Sequence, residues 1–118
     1  MTTTRKGKLR TFKESYKHAA AVKVLADWLS DDYRVEVEKY LGSDLPFKPD
    51  IAVYTRERLD AIYEVVHKCA VDGKKLGKMQ YFAYLQGIDF LCHEVSAEWI
   101  LTQTEKPERI LTEFTFEI

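Results

Sequence analysis

Residues 50–67 constrain the fold most tightly, because two apolar, β-rich runs there are joined by a short polar turn. Asp50-Ile51-Ala52-Val53-Tyr54 reads as one strand and residues 59–67, with Ile62-Tyr63-Glu64-Val65-Val66 at their centre, as the next. Thr55-Arg56-Glu57-Arg58 between them supplies the turn, so the pair is expected to form an antiparallel hairpin. Pro49 cannot donate to a ladder, but it can open a strand. Glu64 interrupts its apolar run, and a carboxylate buried there without a partner is costly. It must meet a cation, a hydrogen-bond donor or a metal.

Around this hairpin the pattern alternates between helix and strand. Thr11-Phe12-Lys13-Glu14 has the capping-box form and starts a helix in which Val22, Leu25, Ala26 and Leu29 make an apolar stripe. Ser30-Asp31-Asp32 stops it. Residues 34–41 alternate, with Val35, Val37 and Leu41 on one side and Glu36 and Glu38 on the other, as in a half-buried strand. After the turn at 70–73, residues 74–86 predict a helix with Leu76, Met79, Phe82, Ala83 and Leu85 inward and Gly87 as its stop. Residues 88–95 read as a strand, 96–103 as a helix, and 110–118 as a closing strand. The fold class is α/β, a central mixed sheet in the order α-β-β-β-α-β with a C-terminal helix and strand added. The first three strands have short links and should be antiparallel; a helix then crosses over to the fourth.

At 118 residues the chain fits one domain, taken as residues 11–118 behind a basic arm at residues 1–10. Two cysteines are too few for a disulfide framework. No signal peptide or apolar run of about 18 residues appears, so no membrane partner is expected and a cytoplasmic location is the default. The net charge is −1, but residues 1–23 carry +6 through seven basic residues and Glu14, leaving −7 on the remainder. Arg5, Lys6, Lys8 and Arg10 can track a phosphate backbone or stand as a solvated tail.

Asp50 and Glu64, on adjacent hairpin strands, can converge on one hard divalent cation such as Mg²⁺ or Mn²⁺. The competing reading has Asp50 capping a turn and Glu64 paired with a lysine. Glu14 and His18 lie at i and i+4 on the first helix and can share a face, which on its own reads as a surface pair in a basic stretch. His67, Cys69, Cys92 and His93 lack common zinc spacings. Instead, the cysteines read as small buried hydrophobes, and His67 either assists at the metal or ends its strand in solvent. Lys74, Lys75 and Lys78 interleave with Tyr81, Phe82 and Tyr84 on the second helix. That pattern suits base stacking plus phosphate contact, or a core stripe with a solvated lysine face.

Lys48-Pro49-Asp50 followed by Tyr63-Glu64-Val65-Val66, on elements in this order, resembles the core of the PD-(D/E)xK nuclease superfamily over residues 11–101. The first helix, Pro49-Asp50 and Trp99-Ile100-Leu101 look like the CoiA-like competence branch, and Gln80-x-x-x-Tyr84 is similar to a RecB-like nuclease motif. The resemblance implies a restriction-endonuclease-like fold and metal-dependent cleavage of DNA phosphodiester bonds. Asp50 and Glu64 would then bind the metal, with Glu14 or His18 completing the site, and Gln80 and Tyr84 would hold the site and the DNA. The family's lysine, two residues after the second acid, is Val66 here. Substitutes are Lys68 on the same strand face, Lys75 or Lys78 on the next helix, where some members relocate it, and Gln80. The rival reading keeps the fold without catalysis, as a module that binds nucleic acid or a partner protein as accessory factor or inhibitor. A structural protein needing neither metal nor DNA is the third. Small nucleases of this fold often form homodimers, which puts a second copy among the implied partners.

Overall fold

The computed structural model describes residues 12–67 and 71–118. Helix α1 (Phe12–Ser30) follows its alanine-rich sequence. Ala21, Val22, Leu25, Ala26 and Leu29 are buried, while Lys17, Lys23 and Asp27 face solvent. A sheet follows, of β1 (Arg34–Val37), β2 (Ile51–Thr55) and β3 (Arg58–Val66). Then come α2 (Gly73–Gln86), β4 (Leu91–Ser96), α3 (Ala97–Thr102) and β5 (Phe114–Glu117). The spatial order is β1-β2-β3-β4-β5. β2 runs antiparallel to both β1 and β3, β4 runs parallel to β3 after the α2 crossover, and β5 returns antiparallel to β4. Over the described residues the fold is therefore α/β, with a five-stranded mixed sheet and three helices. Among the described residues no helix is long and apolar enough to cross a membrane.

Strand alternation sorts the core onto two faces. Ile51, Val53, Ala61, Val65 and Val95 pack against α1 and α3. Ala52, Leu59, Ile62 and Cys92 pack against Met79 and Ala83 of α2. Leu59 reaches the α2 face through a bulge: Val53 pairs with Ala61 and Tyr54 with Leu59, so Asp60 is the extra residue. Trp28 of α1 meets Trp99 of α3 edge-on, with centroids 6.1 Å apart.

Several boundaries differ from expectation. The strand predicted over 34–41 ends at Val37, because Glu38 takes the left-handed conformation (φ 52°). Val37 is 40% exposed rather than buried, and Leu41 pairs with Phe47 in an isolated bridge. In α2, Leu85 is 50% exposed. At about 100° per residue it lies some 200° round the helix from buried Ala83, off the inward stripe. The strand predicted from 88 begins at Leu91, since the Ile88 amide is spent on Ala83 O in the helix stop. The closing strand is confined to Phe114–Glu117.

Candidate metal and phosphate site

Asp50 stands one residue before β2, and Ile51 pairs with Tyr63, so Asp50 and Glu64 continue the same ladder. Their side chains take over hydrogen bonds that backbone carbonyls make elsewhere. The Asp50 amide donates to Glu64 Oε2 (3.0 Å), and the Val65 amide donates to Asp50 Oδ2 (2.8 Å). Nε2 of His18, a buried residue of α1, lies 3.2 Å from the same Oδ2. A carboxylate oxygen accepts, so that imidazole nitrogen donates. Asp50 and Glu64 thus lie side by side with His18 against Asp50, but each carboxylate bonds to backbone beside the other, and the expected convergence of the two carboxyl groups on one ion is not what these bonds make.

Lys75 enters from the first turns of α2, and its Nζ donates to Glu64 Oε1 at 2.7 Å. Asp72 holds the start of that helix by accepting from the Lys74 amide (3.0 Å). Glu94 lies across from Glu64 on β4 and is buried too; its Oε2 accepts the Val71 amide at 2.7 Å, just before the Asp72 cap. Burial raises the Glu64 pKa above the usual carboxylate value and the charge of Asp50 adds to it, while the Lys75 ammonium and the hydrogen bonds offset part. Burial, with Glu64 and Glu94 nearby, pushes the Cys92 thiol up to about 12. Asp50 and Glu64 therefore lie close enough for each charge to act on the other, with the Lys75 ammonium against Glu64.

The cluster able to hold an ion among the described residues is His18, Glu38 and Asp50, whose donor atoms all lie within 4.8 Å of one another. Glu38 is tied to this place by its amide, which donates to Asp50 O at 3.0 Å. A mixed imidazole and carboxylate set suits a divalent cation.

Other sequence candidates fall elsewhere. The arm residues Arg5, Lys6, Lys8 and Arg10, and Lys68, lie outside the described residues, as does the side chain of Glu14 in the first turn of α1. Gln80 is exposed, about 140° round α2 from Lys75 at the helical repeat. Lys78 lies one turn beyond Lys75 and is partly buried; Tyr84 is 81% exposed. The His67 ring, just after β3, sits 5.9 Å from that of His18. Cys92 is buried, and His93 turns to Thr115 on β5 (2.8 Å). Sequence reasoning missed Glu94 and Glu38. Glu94 carried the signal that marked Glu64, an acid in an apolar run. Glu38 carried none, since alternation placed it on the solvent side of a strand that ends before it. Protein-family models, curated proteins and solved structures compared with this chain give no match.

Proposed function

We propose that this chain is a divalent-metal-dependent nuclease with the PD-(D/E)xK core, cleaving DNA phosphodiester bonds. The element order, the antiparallel hairpin and the parallel crossover strand accord with that core. The observation that carries the reading is the Lys75–Glu64 contact at 2.7 Å, with Glu64 bonded in turn to the amide of Asp50. It supplies from α2 the ammonium that Val66 cannot offer from the strand. Asp50 and His18, with Glu38 beside them, would hold the ion. When bound, such an ion polarises a phosphoryl oxygen and lowers the pKa of its water. Asp50 keeps its orientation through the Val65 amide and His18. Lys75 offsets charge that builds on the phosphate and orients the attacking water, and Glu64 fixes where that ammonium sits. Lys78, one turn beyond Lys75 on α2, would meet a neighbouring phosphate. The choice of DNA rests on the resemblance.

The test is cleavage of plasmid and single-stranded DNA in Mg²⁺ or Mn²⁺. Asp50→Ala should abolish it. Lys75→Ala should lower kcat by roughly 10²–10³-fold with little change in KM, as when one donor to the transition state is removed. Val66 shares a strand face with Glu64. Adding Val66→Lys to Lys75→Ala should therefore recover part of the rate. Cleavage that persists in Asp50→Ala would point to a contaminant. Salt-sensitive DNA binding without cleavage by the parent protein would leave the non-catalytic module.

A further inference from the structure

We infer that the ion site is built from His18, Glu38 and Asp50, without Glu64 as a direct ligand, and that it takes a first-row transition-metal ion in preference to Mg²⁺. Both oxygens of Glu64 are engaged, Oε2 by the Asp50 amide and Oε1 by Lys75. Asp50 is different: its hydrogen bonds all fall on Oδ2, and Oδ1 accepts none among the described residues. The Glu38 carboxylate likewise makes no hydrogen bond or ion pair among them, so it is free to turn toward an ion. Glu38 is also held in a costly backbone conformation. Its φ of 52° is one of three positive values at non-glycine residues among those described, and the other two, Arg56 and Glu57, form the β2–β3 turn. A hairpin of two residues requires that geometry; the end of an edge strand does not. At Glu38 the conformation, pinned by the amide bond to Asp50 O, accompanies a carboxylate that approaches the His18–Asp50 pair.

The chemistry of the set decides the ion. Mg²⁺ selects oxygen and keeps several waters, and an imidazole nitrogen adds little to its binding. For first-row ions, imidazole is a good ligand, and affinity rises from Mn²⁺ to Co²⁺ at a given nitrogen and oxygen site. Three protein ligands also leave positions open for water and substrate, the pattern of catalytic rather than structural sites. Donor separations of up to 4.8 Å exceed those around a bound ion, so the three side chains draw together on loading, and His18 gives up its hydrogen bond to Asp50 and binds as the other tautomer, with Nε2 free of its proton.

Ion selectivity deepens the nuclease reading of this same site, yet it is read without DNA. A protein that binds Co²⁺ and cuts nothing keeps the site and loses the nuclease. The experiment is calorimetric titration of the full-length, untagged chain with Co²⁺, Mn²⁺ and Mg²⁺ in turn. Co²⁺ should bind more tightly than Mn²⁺, and at least about tenfold more tightly than Mg²⁺. Glu38→Gln keeps the backbone preference and the exposed position, so it should fold; it should weaken Co²⁺ roughly tenfold or more. His18→Asn should bring Co²⁺ and Mg²⁺ affinities together. Equal affinity for Co²⁺ and Mg²⁺ in the parent, no binding of either, or Co²⁺ affinity unchanged by Glu38→Gln would each overturn the assignment. Should His18→Asn fail to fold, the Glu38→Gln titration still decides it.

Discussion

Glu64 has 8% of its side chain exposed and Lys75 25%, so their 2.7 Å contact is closer to an interior ion pair than to a surface one. Removing one partner of such a pair leaves the other charge buried alone, which dominates the cost. Lys75→Ala should therefore destabilise the metal-free protein by about 2–3 kcal/mol at pH 7, below the cost of breaking a fully buried pair because Lys75 keeps some water. The pH dependence has a definite sign. Burial already raises the Glu64 pKa and Lys75 lowers it, so losing Lys75 raises it further. A carboxyl that binds its proton more tightly folded than unfolded loses stability as pH rises through that interval. The gap between Lys75→Ala and the parent should accordingly narrow as pH falls toward 4.5, the ordinary value. Urea melts with EDTA at pH 7 and at pH 5 measure it; a gap that widens in acid would contradict the pairing. Of this arrangement the sequence announces Glu64, by its apolar neighbours, and offers Lys75 only as one of several lysines. The choice among them is made by the crossover of α2 onto β3, which no local pattern encodes.

At the level of elements, legibility follows how far the deciding interaction lies along the chain. α1 is readable from its stripe, and α2 from Gly87, whose φ of 65° and amide bond to Tyr84 O make the left-handed stop. β1 is misread because Glu38 turns left-handed without a glycine to signal it, and Leu59 changes face through a bulge at Asp60 that alternation cannot foresee. β5 depends on contacts with β4. One of them joins His93 Nδ1 to Thr115 Oγ1 at 2.8 Å. Burial lowers the His93 pKa from 6.5, with Asp60 opposing part of the change. A base whose folded pKa is lowered is held neutral by the fold, so stability is lost as pH falls through the unfolded value. The parent should thus lose stability between pH 7.5 and 5.5 partly through His93, on the scale of about 1.4 kcal/mol for each tenfold drop in its proton affinity. His93→Asn should flatten that part of the profile. Thermal melts across the range would reveal it, and an unchanged slope would mean that His93 is solvated enough to titrate freely.

The site draws on both layers of the molecule at once. His18 comes from the α1 face, Lys75 from the α2 face, and Asp50 and Glu64 from the strands between them. Its geometry then depends on the two cores forming together, since either layer alone would leave the carboxylates without half their partners. The sheet couples them: Ile51 and Val53 face α1 while Ala52, on the same strand, faces α2. Ile100 is fully buried in the first core and Ile62 in the second. Ile→Val at either should cost about 0.5–1.5 kcal/mol by removing one buried methylene. The two sites share no cluster, so the double variant should equal the sum within about 0.5 kcal/mol. Fluorescence of Trp28 and Trp99, both on the α1 side, reports the first core. Far-ultraviolet circular dichroism reports the whole. In a cooperative domain the two melts coincide for parent, single and double variants. If Ile62→Val shifted the dichroism melt but left the tryptophan melt in place, the α2 layer would be separable from the rest. The pairing of Lys75 with Glu64 could then open without global unfolding, and the proposed activity would fall before the fold does.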